Sequence, residues 1–178
     1  MRLFVAVDIS EELREKIHPV LKAVSEISGV KAVERENLHI TLKFLGEVSE
    51  ARVVAISEAL KKVEFEPFEI YLKGFGFFPN ERYARVAWIG VKEGEDRLKE
   101  LADKVNAALK KVGFKSESFT AHVTVARVKK PEGRKIVEVL SKLDDDFGRM
   151  EVKDFRLKKS TLTSKGPIYE DIEIYSSR

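Results

Sequence analysis

His39-Ile40-Thr41-Leu42 and His122-Val123-Thr124-Val125 repeat one pattern, HxTx at 39–42 and 122–125, and use two of the three histidines in the chain. Along an extended strand residues i and i+2 share a face, so each copy presents an imidazole beside a hydroxyl. Leu38, Ile40 and Leu42, and in the second copy Val123 and Val125, face the other way. Strict alternation also turns Phe44 and Arg127 to that opposite face. Core packing is therefore the expected role of Phe44, and Arg127 reaches the histidine face only through a bulge or a strand end.

Free imidazole titrates near 6.5, so two histidines in different surroundings can be one neutral and one protonated. The neutral one can deprotonate an attacking oxygen while the protonated one donates to the leaving oxygen. That division suits in-line displacement at phosphorus without a metal. Each threonine hydroxyl can donate to a non-bridging phosphoryl oxygen. Which histidine is the acid stays open at this level.

Competing chemistries lack their parts. The chain has no cysteine, which removes thiolate catalysis, disulfides and cysteine-based metal centres. No G-x-S-x-G elbow and no P-loop pattern occurs. One imidazole per copy is too few for a metal centre, so neither metal nor cofactor is expected. Asp144-Asp145-Asp146 reads as a solvated turn, and His18, directly before Pro19 and without a threonine partner, as structural.

The elements that must position these residues follow from the apolar pattern. At 178 residues and 43% apolar, the chain can bury the core of a single domain over 1–178. The net charge of +3, from 33 basic and 30 acidic side chains, is too small for a general nucleic-acid coat. A local basic groove could draw on Lys43, Arg82, Arg85, Arg127, Lys129 and Lys130, against a background of solvated charge. No apolar run reaches spanning length, and residues 1–8 are too short and end too acidically for a signal peptide. A cytoplasmic protein with no membrane partner is expected.

A strand over 2–7 leads to a helix capped by Ser10, with Leu13, Ile17, Val20, Leu21 and Val24 inward and Gly29 beyond. A short strand over 30–33, the first motif strand over 38–45 and a Ser49-capped helix to 63 come next. Strands over 68–75 and 84–91 flank a loop at 77–82, where the first half ends. A helix over 95–112 stops at Gly113, and the second motif strand precedes a helix opened by Pro131. Strands over 151–157, 158–162 and 171–175 complete the chain. Antiparallel-length connections with four helices predict an α+β protein of two antiparallel-sheet-plus-helices lobes. No Pro-, Gly- or Ser-rich linker separates the lobes, so a cleft lined by both His–Thr pairs is expected between them.

Taken together, the segments 2–7, Asn37-Leu38-His39-Ile40-Thr41-Leu42-Lys43-Phe44-Leu45-Gly46-Glu47-Val48 and Phe119-Thr120-Ala121-His122-Val123-Thr124-Val125-Ala126-Arg127 resemble the two-histidine phosphoesterase superfamily. Within it, the chain resembles the RNA 2′,3′-cyclic phosphodiesterase family, long named 2′-5′ RNA ligase. Phe78-Pro79 through Trp88 and the stretch from Leu162 to Tyr169 extend the likeness over nearly the whole chain. Ala121 departs from it, standing where the family commonly has Pro.

The resemblance implies a bilobal fold with pseudo-twofold symmetry around a central cleft. It makes His39 the proton donor and His122 the proton acceptor, with Thr41 and Thr124 holding the phosphate and Arg127 contacting phosphate or ribose. It implies hydrolysis of a terminal 2′,3′-cyclic phosphate to a 2′-phosphate, and ATP-independent 2′-5′ ligation when an RNA 5′-hydroxyl replaces water. Partners would be RNA ends, tRNA fragments among them, or nucleotide cyclic phosphates, met by a monomer. The rival readings are a phosphodiesterase for a small cyclic nucleotide or ADP-ribose cyclic phosphate, and a non-catalytic module that binds RNA ends.

Overall fold

The computed structural model describes residues 1–129 and 133–178. In chain order the elements are β1 (Arg2–Asp8), α1 (Glu11–Ser25), β2 (Val30–Ala32), β3 (His39–Glu47), α2 (Val53–Lys61), β4 (Phe68–Phe78), β5 (Val86–Glu93), α3 (Glu95–Lys110), β6 (His122–Val128), α4 (Gly133–Ser141), β7 (Asp146–Val152), β8 (Asp154–Thr163) and β9 (Gly166–Ser176). This is an α+β protein of two antiparallel sheets and, among the described residues, four α-helices. Pro131 and Lys130 lie outside the described residues. None of the described helices is long and apolar enough to cross a membrane.

Local chemistry sets the helices. Ser10 Oγ accepts the Leu13 N–H at 3.3 Å, and α1 then buries Leu13, Ile17, Val20, Leu21 and Val24 along one stripe. Ser49 differs from expectation, because its side chain makes no cap. A 3-10 turn over Glu50–Arg52 precedes α2, and the Arg52 N–H returns to the Ser49 carbonyl at 3.0 Å.

One sheet has the order β3-β1-β8-β9 and the other β2-β6-β5-β4-β7. The lobes are not halves of the chain. β4 follows α2 in the first half yet pairs with β5, while β8 comes from the second half and pairs with β1. The runs β3-β1-β8 and β6-β5-β4 correspond, which is the pseudo-twofold relation. Helices α2 and α3 back the first sheet, and α1, with α4 packed on it, backs the second. Each core therefore mixes both halves: Val5, Ile40 and Leu157 are buried in one sheet, and Leu72, Ile89 and Val123 in the other. Separating the two halves of the chain would strip strands out of both sheets and expose this apolar surface.

Both motif strands carry a bulge at the same offset. Leu42 falls without a partner between the pairs Thr41–Ala6 and Lys43–Val5, and Val125 between Thr124–Trp88 and Ala126–Ala87. One extra residue reverses the alternation beyond it. Lys43 and Ala126 thus turn inward, the Lys43 side chain being only 3% exposed. Phe44 and Arg127 swing to the histidine side, and Phe44 is 63% exposed. This corrects two expectations: Phe44 is not a core residue, and Lys43 is not a groove cation. A register shift between Leu157 and Lys158 likewise explains why β8 runs unbroken through the break expected there.

Candidate active site

β3 and β6 come together between the sheets, close enough that a proton on His122 acts on His39. The two imidazoles are mounted alike. His39 Nδ1 lies 2.6 Å from the Asn37 carbonyl oxygen, and His122 Nδ1 lies 2.8 Å from that of Thr120. A carbonyl can only accept, so Nδ1 carries the proton and Nε2 is left for chemistry. For His39 that Nε2 sits 2.9 Å from Thr41 Oγ1.

Aromatic walls fix both rings. Tyr169 packs edge-on against His39, with centroids 5.4 Å apart and planes at 84°; Phe78 does so against His122 at 5.2 Å and 85°. Phe4 lies 5.2 Å from His39 and Trp88 lies 6.0 Å from His122. Trp88 depends on Gly76, since a Cβ there would fall 2.1 Å from the indole ring. Only glycine lets β4 pass beside the wall of His122.

Burial pushes the His39 imidazole down to about 4, against the opposing pull of the hydrogen bond to the Asn37 carbonyl. The Lys158 ammonium lowers it further and the Asp8 carboxylate raises it. Asp8 stands directly opposite His39 and is held by Lys158 at 2.9 Å, which Asp171 also holds at 2.7 Å. Burial also lowers His122, with the Thr120 carbonyl opposing and the Arg127 charge adding to it. The Arg127 charge also bears on Tyr169, where it opposes the upward push of burial.

Both imidazoles thus favour the neutral form at pH 7, and an anion bound between them would favour the charged form of either. Because His39 is depressed on folding, its neutral form stabilises the protein fully above 6.5, and that contribution is lost as pH falls toward about 4. An anion bound to the protonated form has the opposite dependence. Sulfate affinity should therefore rise as pH drops from 7 to 5, by up to about tenfold per unit. NMR titration of wild type and His39→Ala would check this; equal pH dependence in the two proteins would contradict it.

His39, Thr41 and Phe44 lie on one side of β3, and His122, Thr124 and Arg127 on the corresponding side of β6, the strand that β3 approaches. His18 is exposed on α1, and Lys43 points into the protein. Sequence reasoning missed the orienting carbonyls of Asn37 and Thr120, and gave no role to Phe4, Phe78, Trp88 and Tyr169. Two surface hollows elsewhere, of about 580 Å³ between α2 and α3 and about 610 Å³ beside Arg82 and Arg134, hold no histidine. Chemistry rather than volume marks the cleft.

Comparison with known proteins bears on the same residues. A family model described as LigT-like phosphoesterase matches twice, over residues 7–88 and 89–169, with one HxTx copy in each match. A protein of Archaeoglobus fulgidus named RNA 2′,3′-cyclic phosphodiesterase is 55% identical over 98% of this chain and 99% of its own length. One of the same name from Methanothermobacter thermautotrophicus is 40% identical over 98% of each. Among solved structures, a Thermus thermophilus protein superposes with a TM-score of 0.82 at 30% identity, covering 99% of this chain and 97% of its own. E. coli LigT complexed with 3′-AMP gives 0.82 at 26% identity, with the same coverage.

Proposed function

The chain belongs to the LigT-like phosphoesterase family, and from that premise we propose that it hydrolyses terminal 2′,3′-cyclic phosphates of RNA to 2′-phosphates, with His39 and His122 as its acid–base pair. The observation that carries the reading is the paired mounting of the imidazoles, each with Nδ1 tied to a carbonyl and Nε2 turned to the other side, where that of His39 meets only the Thr41 hydroxyl among the described residues.

His122 Nε2 takes a proton from water as the water oxygen attacks phosphorus. The P–O3′ bond breaks, and His39 Nε2 gives its proton to the departing 3′ oxygen, leaving a 3′-hydroxyl and a 2′-phosphomonoester. His39 is charged for this step by the substrate's own phosphate anion. Thr41 and Thr124 donate to the non-bridging oxygens, where negative charge builds. Arg127 neutralises phosphate, and Phe44 offers a flat apolar face to the terminal base. An RNA 5′-hydroxyl in place of water yields a 2′-5′ linkage by the same proton transfers, without ATP. One chain supplies both half-sites, so it acts as a monomer and as one bilobal domain over residues 1–178, in the cytoplasm.

The test is to incubate the protein, with EDTA and without ATP, with an RNA ending in a 2′,3′-cyclic phosphate. The expected product is a phosphatase-sensitive 2′-phosphate formed over many turnovers. Stoichiometric binding without turnover would overturn the reading in favour of a binding module, and turnover only of small cyclic nucleotides would move the substrate class.

A further inference from the structure

Lys43 is a buried cation in a sheet that has no need of one. Its register counterpart in the second motif strand is Ala126, also buried, so the position itself asks only for an inward-facing residue. A buried ammonium is retained where something holds it. Here Nζ donates to the Lys115 carbonyl at 2.5 Å and lies 3.8 Å from Glu117 Oε1. The same Glu117 oxygen accepts the Phe44 backbone N–H at 3.1 Å, just past the bulge. The Glu117 N–H in turn donates to the side chain of buried Asn106 on α3 at 3.3 Å.

Residues 115–117 thus form a strap clamped to the first motif strand. Three residues further on, the strap carries the Thr120 carbonyl that orients His122. The other histidine is braced in reverse. Asn37, whose carbonyl orients His39, donates its side-chain amide to the Pro167 carbonyl at 2.9 Å, on the hairpin that also brings Tyr169 against His39. Each orienting carbonyl is therefore anchored by a segment from the opposite half of the chain.

We infer that Lys43 is a positioning residue for His122: through the Lys115–Glu117 clamp it holds the Thr120 carbonyl in place and registers one half of the acid–base pair against the other. The inference rests on the two-histidine reading above. Loss of the clamp should leave His39 as it is and let His122 turn, because the His39 ring is held by the Asn37 carbonyl and Thr41, whereas the strap that Lys43 clamps carries the Thr120 carbonyl.

The decisive variant is Lys43→Met in the full chain, with Glu117→Ala as a second. The latter removes the carboxylate part of the clamp from a side chain that is 47% exposed, leaves the Lys43–Lys115 bond, and serves if Lys43→Met does not fold. Expected for Lys43→Met is a kcat reduced by about 10–100-fold, as for a displaced catalytic group, with KM changed much less. The acid limb of the rate profile should move to lower pH, since the carbonyl bond that favours the charged imidazole is weakened, while the alkaline limb stays. Glu117→Ala should move the same limb in the same direction by a smaller amount. By NMR the His122 titration should fall and that of His39 should hold.

An unchanged His122 titration in a folded variant would overturn the inference, as would equal movement of both histidines. If the wild-type protein turned over no cyclic phosphate, the functional reading would fail, and the His122 titration would still decide the brace.

Discussion

Replacing His122 with alanine is expected to lower kcat for cyclic-phosphate hydrolysis by about 10²–10⁴-fold, and replacing His39 to do the same. In the proposed mechanism each imidazole moves one proton. Asp8 stands opposite His39 but is engaged with Lys158, and the Arg127 guanidinium, whose charge bears on His122, offers no acceptor for a proton. The double variant should be little worse than either single one, because acid and base act as a unit in one displacement. Single-turnover rates with a cyclic-phosphate-ended RNA, alongside circular dichroism to check folding, measure this. Activity within about threefold of wild type in either variant, far short of the loss expected for a general acid or base, would show that its imidazole does not transfer a proton in the slow step.

Thr41→Val and Thr124→Val come next in size, each with a kcat loss of about 10²-fold and little change in KM. Valine keeps the β-branched shape that suits a strand, so the sheet should tolerate it and only the hydroxyl is lost. The two should differ in pH behaviour. Thr41 is hydrogen-bonded to its own histidine, so its loss should shift the limb governed by His39 as well as the rate. Loss of the Thr124 hydroxyl should lower the rate and leave both limbs in place. Equal pH profiles for the two variants would argue that Thr41 serves only the phosphate.

The alternation of histidine and threonine was legible because it is local, and so were α1, the motif strands and their burial of Ile40 and Val123. The bulges were not, since strict alternation carries one parity through a strand and cannot see an unpaired residue. A signal was nevertheless present. After each HxTx the pattern breaks at the same place, with Lys43-Phe44 in one copy and Ala126-Arg127 in the other. A shared irregularity in two related strands points to a shared geometric cause. The same blindness divided β8 at Leu157, where the register shifts against β9. Strand exchange was out of reach for another reason: which sheet β4 or β8 joins is fixed by long-range pairing, not by any pattern within the strand. The orienting carbonyls of Asn37 and Thr120 are backbone atoms, and residue type does not reveal them.

The division of labour between the histidines is the central claim, and the pH dependence of kcat, which reports the substrate-bound groups, tests it most directly in wild type, His39→Ala and His122→Ala. Wild type should give a bell, since the base must be neutral and the acid charged. Removal of His122 should abolish the acid limb and spare the alkaline one; removal of His39 should abolish the alkaline limb and spare the acid one. The opposite pairing would exchange the two roles, and a bell that survives in either variant would contradict two-histidine catalysis.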